Sequence, residues 1–259
     1  MVGENDFRLY KSYLTHYGVK GMHWGIRRYQ NPDGTLTNAG KIRYKALDKS
    51  KDYIPTSERP HRDYNTDKWG KSKDTNIMWV TGISGSGKST IAKELADKEK
   101  ADLINIDLYT FKTADKYTKD MSKNFNKFLD KNVPNWKKLQ KEGYEALTKT
   151  DRRAQKAAGK WFDTFQDALE EYGRQSYGKN KVVAEGVQIL DETLFYNNKK
   201  ALKNQPLIVM ETNMVDSLLS RMSRDNKSLD KLLEPDRLAQ LEGFVNYQIA
   251  LIDEMEKED

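Results

Sequence analysis

Between Asn76 and Lys98 the chain reads NIMWVTGISGSGKSTIAKELADK, and this stretch restricts the fold more than any other. The apolar run Ile77, Met78, Trp79, Val80 has the pattern of a buried strand. Gly82-Ile83-Ser84-Gly85-Ser86-Gly87-Lys88-Ser89-Thr90 follows, and then Ile91, Ala92, Leu95 and Ala96 recur at helical spacing. A strand, a glycine-rich turn and a helix in that order predict a loop that wraps a phosphate. Gly82, Gly85 and Gly87 let backbone N–H groups converge on one anion, and the helix start adds partial positive charge beneath it. Lys88 is placed to reach β and γ phosphates, and the Ser89 hydroxyl suits a Mg²⁺ ligand. Ser84, Ser86 and Thr90 complete the expected phosphate-binding set. The bland alternative is a flexible Gly/Ser turn, which the flanking strand and helix argue against. The expectation is a nucleoside triphosphate, ATP or GTP, bound with Mg²⁺.

Composition narrows the remaining classes. At 259 residues the chain has room for one sizeable α/β domain and an appendage. It has no cysteine and three scattered histidines, which leaves no disulfide framework and no basis for a zinc site. The first twenty residues carry Glu4, Asp6, Arg8 and Lys11 without a long apolar core, so they do not read as a signal peptide. No apolar run approaches the ~20 residues of a membrane span. The expectation is therefore a soluble protein made in a cytoplasm. The net charge of +6 sits wholly in residues 1–75, which hold 15 Lys/Arg against 9 Asp/Glu. Such an arm suits contact with nucleic acid or an acidic protein surface, or serves only to solvate a tail.

Residues 1–75 look unlike the rest, and the module within them is placed at 1–44. Tyr17, Trp24 and Tyr29 are set among Gly18, Gly21, Gly25, Gly34 and Gly40, and Asn31-Pro32-Asp33-Gly34 is a turn signal. The segment YGVKGMHWGIRRYQNPDGTLTNAG is similar to a short module of structural and head-associated proteins in tailed bacteriophages of Gram-positive bacteria. It departs from the module's pattern at His23 and Ile26 and keeps the glycine and aromatic framework. The resemblance implies a phage- or prophage-encoded protein acting in the host cytoplasm or with the virion, and a phage structural partner met through residues 16–40. Residues 45–75 are polar, with Pro55 and Pro60, and read as a linker.

Beyond the loop helix, Asp102 to Asp107 reads as a second strand ending in a carboxylate. Asp107 then stands at the strand end beside the loop, where it can act as base or orienting group for an acceptor hydroxyl, or merely cap the next helix. An amphipathic helical insertion is expected over about 108–179, with Phe125 and Phe128 on one face and Trp161, Phe162 and Phe165 on another, as core stripes. Lys181 to Gly186 is a third strand whose Glu185 can support Mg²⁺ or the acceptor. Pro206 to Glu211 is the fourth. Asn213 to Arg224 reads as a helix with Asn213 as N-cap and Arg221 and Arg224 on one face. Those arginines can grip transferring phosphates or simply complement the helix dipole. A last helix starts at Glu234-Pro235.

GISGSGKST, the Asp107 strand, VVAEG and SRMSRD together resemble the small phosphate-loop kinases of the uridine-kinase, zeta-toxin and polynucleotide-kinase types over about Asn76 to Glu254. That resemblance implies a three-layer α/β domain with a mostly parallel sheet of four or five strands, ordered second-third-first-fourth. It also implies transfer of a γ-phosphate to a hydroxyl, with Lys88, Asp107, Arg221 and Arg224 catalytic and Ser89 and Glu185 at the metal. The domains expected are a module at 1–44, a linker at 45–75 and the kinase-like domain at 76–259. The rival expectation is a virion or assembly protein with a non-catalytic nucleotide site. No repeated base-reading or groove-reading element is present, so specific DNA reading is not expected.

Overall fold

The computed structural model describes residues 61–147, 149, 152–190, 202 and 204–212, with residues 31, 35–38, 40–42, 215–217, 219, 220, 243, 246 and 250. The chain divides into two units: Met1–Pro55 with Ile83–Ser86 and Thr212–Ala250, and Thr56–Gly82 with Gly87–Glu211 and Leu251–Asp259.

The second unit is mixed α/β. Its strands are β1 (His61–Tyr64), β2 (Ile77–Gly82), β3 (Asp102–Asn105), β4 (Val182–Glu185) and β5 (Leu207–Met210). They form one five-stranded sheet in the order β1-β5-β2-β4-β3. β2 pairs in parallel with β4 and β5, and β3 in parallel with β4. These four strands follow the expected order. β1 pairs antiparallel with β5 and lies inside the polar stretch 45–75 that reads as a linker from sequence. Its sequence HRDY has no apolar alternation because it is an edge strand, held by backbone bonds with most side chains exposed. Arg62 on β1 also pairs with Glu211 just past β5.

Alternation along the buried strands sends successive side chains to opposite faces. Met78, Val80, Val183, Ile208 and Met210 pack with Ala92 and Ala96 of helix α1 (Lys88–Glu99) and with Trp69. Ile77, Trp79, Ile104, Val182, Ala184, Leu207 and Val209 face the other way, into a core with the helical segment. That segment comprises α2 (Ile106–Thr110), α3 (Ala114–Tyr117), α4 (Lys123–Asn132), α5 (Trp136–Ala146) and α6 (Arg152–Ser176). The expected insertion is therefore helical, and its aromatic stripes are core. Phe125, Trp161 and Phe165 are fully buried, and Tyr109 stacks on Phe165 at 5.2 Å. Gln140 binds the short helices together: it accepts from Ala114 N at 2.7 Å and donates to the carbonyls of Leu108 and Tyr109.

Helices α5 and α6 meet at Gly143, where an added Cβ would lie 2.8 Å from Trp161 Cβ. Gly143→Ala would gain about 1 kcal/mol of helix propensity. Overpacking against a side-chain root that cannot rotate away costs about 1–3 kcal/mol. The clash wins, and urea denaturation should show a net loss of about 1 kcal/mol; an unchanged midpoint would mean the helices separate freely.

In the first unit, Val215 and Leu219 pack with Ile42, and the described residues of 215–220 are helical, as expected. Asn31 and Thr35, on either side of the Pro32-Asp33-Gly34 turn signal, are joined by a backbone bond of 2.7 Å and a side-chain bond of 2.8 Å. Most of the Gly/aromatic module, Arg221, Arg224 and the last helix lie outside the described residues. Among the described residues no helix is long and apolar enough to cross a membrane.

Candidate functional site

The chain leaves the sheet at Gly82 and re-enters regular structure at Lys88, as the strand–turn–helix pattern requires. Within the first unit, the loop Ile83–Ser86 closes with Ser86 N donating to Ile83 O at 3.0 Å. The Ser217 hydroxyl donates to Ser84 O at 2.5 Å, and a Cβ on Gly85 would lie 2.9 Å from Ser217 O. Gly85 and Gly87 have φ of +86° and +98°, a region that other residues enter only with strain. Gly87 is the helix N-cap and offers no side chain. Its carbonyl accepts from Thr90 N and Ile91 N at 2.9 and 3.1 Å.

In the second unit, four of the residues singled out by sequence converge where β2, β3 and β4 end. Lys88 opens α1 with only 7% of its surface exposed. The Ser89 hydroxyl donates to Glu185 Oε1 at 3.1 Å. Glu185 ends β4, opposite Val80 on one side and Asn105 on the other. Gly186 continues past it: its N–H donates to Val80 O at 3.1 Å and its carbonyl accepts from Thr81 Oγ1 at 2.9 Å.

The electrostatics of the cluster are dominated by burial. Burial pushes the Glu185 carboxyl above the usual glutamate range; the Lys88 ammonium opposes that rise, and the Asp107 charge adds to it. Glu185 Oε2 and Asn105 Oδ1 are buried and have no hydrogen-bond partner among the described residues. The Ser89 hydroxyl and the Glu185 carboxylate are hard oxygen donors of the kind a hydrated Mg²⁺ accepts, while among the described residues no group of three or more His, Asp or Glu is placed to hold a metal ion by itself.

Asp107 stands differently from the expectation. β3 stops at Asn105, and Asp107 lies in the first turn of α2, half-buried, where the helix N-terminus favours a carboxylate. Asn105, not Asp107, is the N-cap. Asp107 Oδ1 accepts from Gln188 Nε2 at 2.6 Å. Sequence reasoning missed Gln188; the only signal was a polar residue two positions beyond the glycine that follows a buried strand. A cavity of about 250 Å³ lies elsewhere, beside Ile77 and Trp79 at the start of β2. Its wall mixes Lys73 and Arg174 with Asp74 and Glu170, with no net preference for an anion.

Comparison with curated proteins found no match. Residues 10–31 match a family model described as a family of unknown function (DUF7211). Residues 56–187 match the family model described as Nephrocystin 3, N-terminal. That span begins before β1, contains the loop, α1 and Asp107, and runs just past Glu185. It covers just over half of the sequence, and the chain therefore belongs to the Nephrocystin 3, N-terminal family.

Proposed function

We propose that this chain is a Mg²⁺- and ATP-dependent phosphotransferase, with GTP as the other possible donor, built on a three-layer phosphate-loop kinase fold. The observation that carries the reading is the Ser89–Glu185 hydrogen bond beside the buried Lys88. It unites the two oxygen groups that a divalent ion needs with the one ammonium that a triphosphate needs.

The backbone of Gly82 to Thr90 binds the phosphates, and Lys88 neutralises charge on the β and γ groups. Ser89 and Glu185 would hold Mg²⁺, directly or through water, and the ion would supply charge neutralisation on the triphosphate. Asp107 orients the acceptor hydroxyl. The acceptor oxygen bonds to the γ-phosphorus, the bond to the bridging oxygen breaks, ADP leaves, and the hydroxyl proton passes to Asp107. Arg221 and Arg224 are assigned to the developing charge on the transferred group. The acceptor class is a small molecule or a nucleic-acid component bearing a hydroxyl, and the finer likeness is to the uridine-kinase, zeta-toxin and polynucleotide-kinase types.

The test is transfer of labelled γ-phosphate from ATP to a panel of nucleosides, nucleotides, nucleic-acid ends and sugars. Transfer to one class is expected, and Asp107→Asn should lose it while keeping ATP binding. Binding without transfer to any acceptor would favour the second reading, a phage virion or assembly protein whose nucleotide site is non-catalytic. What supports that reading is that residues 10–31, ahead of the phosphate-loop span, match a separate family model, one of unknown function.

A further inference from the structure

Gln188 is fully buried in the 3-10 turn Val187–Leu190, just beyond β4. Its Nε2 spends both hydrogens, on Asp107 Oδ1 at 2.6 Å and on Thr110 Oγ1 at 3.0 Å. Thr110 donates its own hydroxyl hydrogen to Ile106 O at 2.9 Å, so its oxygen is the acceptor toward Gln188. The amide orientation follows from this. Turned over, Gln188 would set its oxygen against a carboxylate and a hydroxyl whose hydrogen is already used.

The other end of the amide has no such arrangement. Gln188 Oε1 is buried without a partner among the described residues. It lies where a Cβ on Gly186 would approach to 2.5 Å, so only glycine at 186 lets this side chain fold back over the strand end. An apolar side chain of similar length would fill the same space without an orphaned oxygen. Unsatisfied buried polar groups are costly, and what this one obtains in exchange is a fixed contact to Asp107.

Resting on the phosphotransfer reading above, we propose that Gln188 is the positioning residue for Asp107. It occupies Oδ1 and fixes the carboxylate plane, so that Oδ2 is the oxygen offered to the acceptor hydroxyl. A misdirected carboxylate leaves nucleotide binding intact and lowers the rate of the transfer step, by roughly tenfold to a hundredfold for a displacement near 1 Å.

The experiment measures kcat and KM for Mg²⁺-ATP, with water or the acceptor found by the panel, together with urea stability. Three variants are compared with the parent. Gln188→Met keeps the volume and removes the donor. Gln188→Glu keeps the shape and replaces the donor with an acceptor. Thr110→Val removes the second partner and leaves the Asp107 contact. Positioning predicts a kcat drop of about ten- to a hundredfold in both Gln188 variants at unchanged ATP KM. It also predicts parent-like kcat in Thr110→Val despite lowered stability. Either Gln188 variant alone, if only one folds, suffices to decide. Parent-like kcat in a folded Gln188 variant, or a kcat loss in Thr110→Val as large as in Gln188→Met, would mean that the turn only braces α2. That outcome removes this assignment and leaves the phosphotransfer reading intact. A parent chain that transfers phosphate to neither water nor any acceptor removes both.

Discussion

Lys88→Ala is expected to lower phosphate transfer by about a thousandfold with the fold retained. Removing one preorganised group that stabilises transition-state charge in a dry site typically costs about 10²–10³ in rate. Lys88 sits at the upper end because it is a full charge and almost completely buried. The structural penalty is smaller. Lys88 opens α1 and is not part of the apolar cores on either face of the sheet. Its loss does leave Glu185 without the ammonium that opposes the rise in its pKa, so the carboxyl moves further toward its neutral form. Circular dichroism and urea denaturation should therefore show a folded, somewhat destabilised protein, while the labelled-phosphate assay falls to background. Turnover within tenfold of the parent would remove Lys88 from the chemistry and with it the proposed site.

Glu185→Gln is expected to separate activity from stability in opposite directions. The Glu185 pKa is raised in the folded state, chiefly by burial. Below the ordinary glutamate value near 4.5 both folded and unfolded chains hold the proton, and the group makes no pH-dependent contribution. As pH rises past that value the unfolded chain ionises first. Stability then falls until pH passes the folded-state pKa, and the deficit persists above it. An amide keeps an oxygen to accept from Ser89 and carries no charge to desolvate. At pH 7 the variant should be more stable than the parent by about 1 kcal/mol, the usual size for relief of a functional-site compromise. The difference should close as pH falls below 4.5. Transfer should drop sharply, because the amide cannot neutralise a divalent ion. A variant equally stable at pH 7 and pH 4, relative to the parent, would show that the carboxylate is not desolvated. Full activity would show that the ion is held without it.

Much of the architecture was legible because it depends on local pattern. Unbroken apolar runs in β2, β4 and β5 mark strands buried on both faces, and the spacing of Ala92 and Ala96 marks the buried face of α1. In β1, by contrast, backbone pairing does the work, and hydrogen bonds of N–H and C=O leave no trace in residue type. The boundary of β3 was misplaced for a related reason. Ile106 is as apolar as Ile104, and only packing turns the chain into α2 after Asn105.

Sequence by itself picked out the candidate site residues that are close in the chain or stand at the ends of apolar runs: the glycines, Lys88 and Ser89 in one motif, and Glu185 at a strand end. Tertiary structure alone decided which of them meet. Ser89 finds Glu185 across 96 positions, and Asp107 finds Gln188 across 81. Those pairings arise from the parallel register of β2, β3 and β4, which aligns the strand ends in space. A polar side chain carries no mark of its partner until that alignment brings the two within hydrogen-bonding reach.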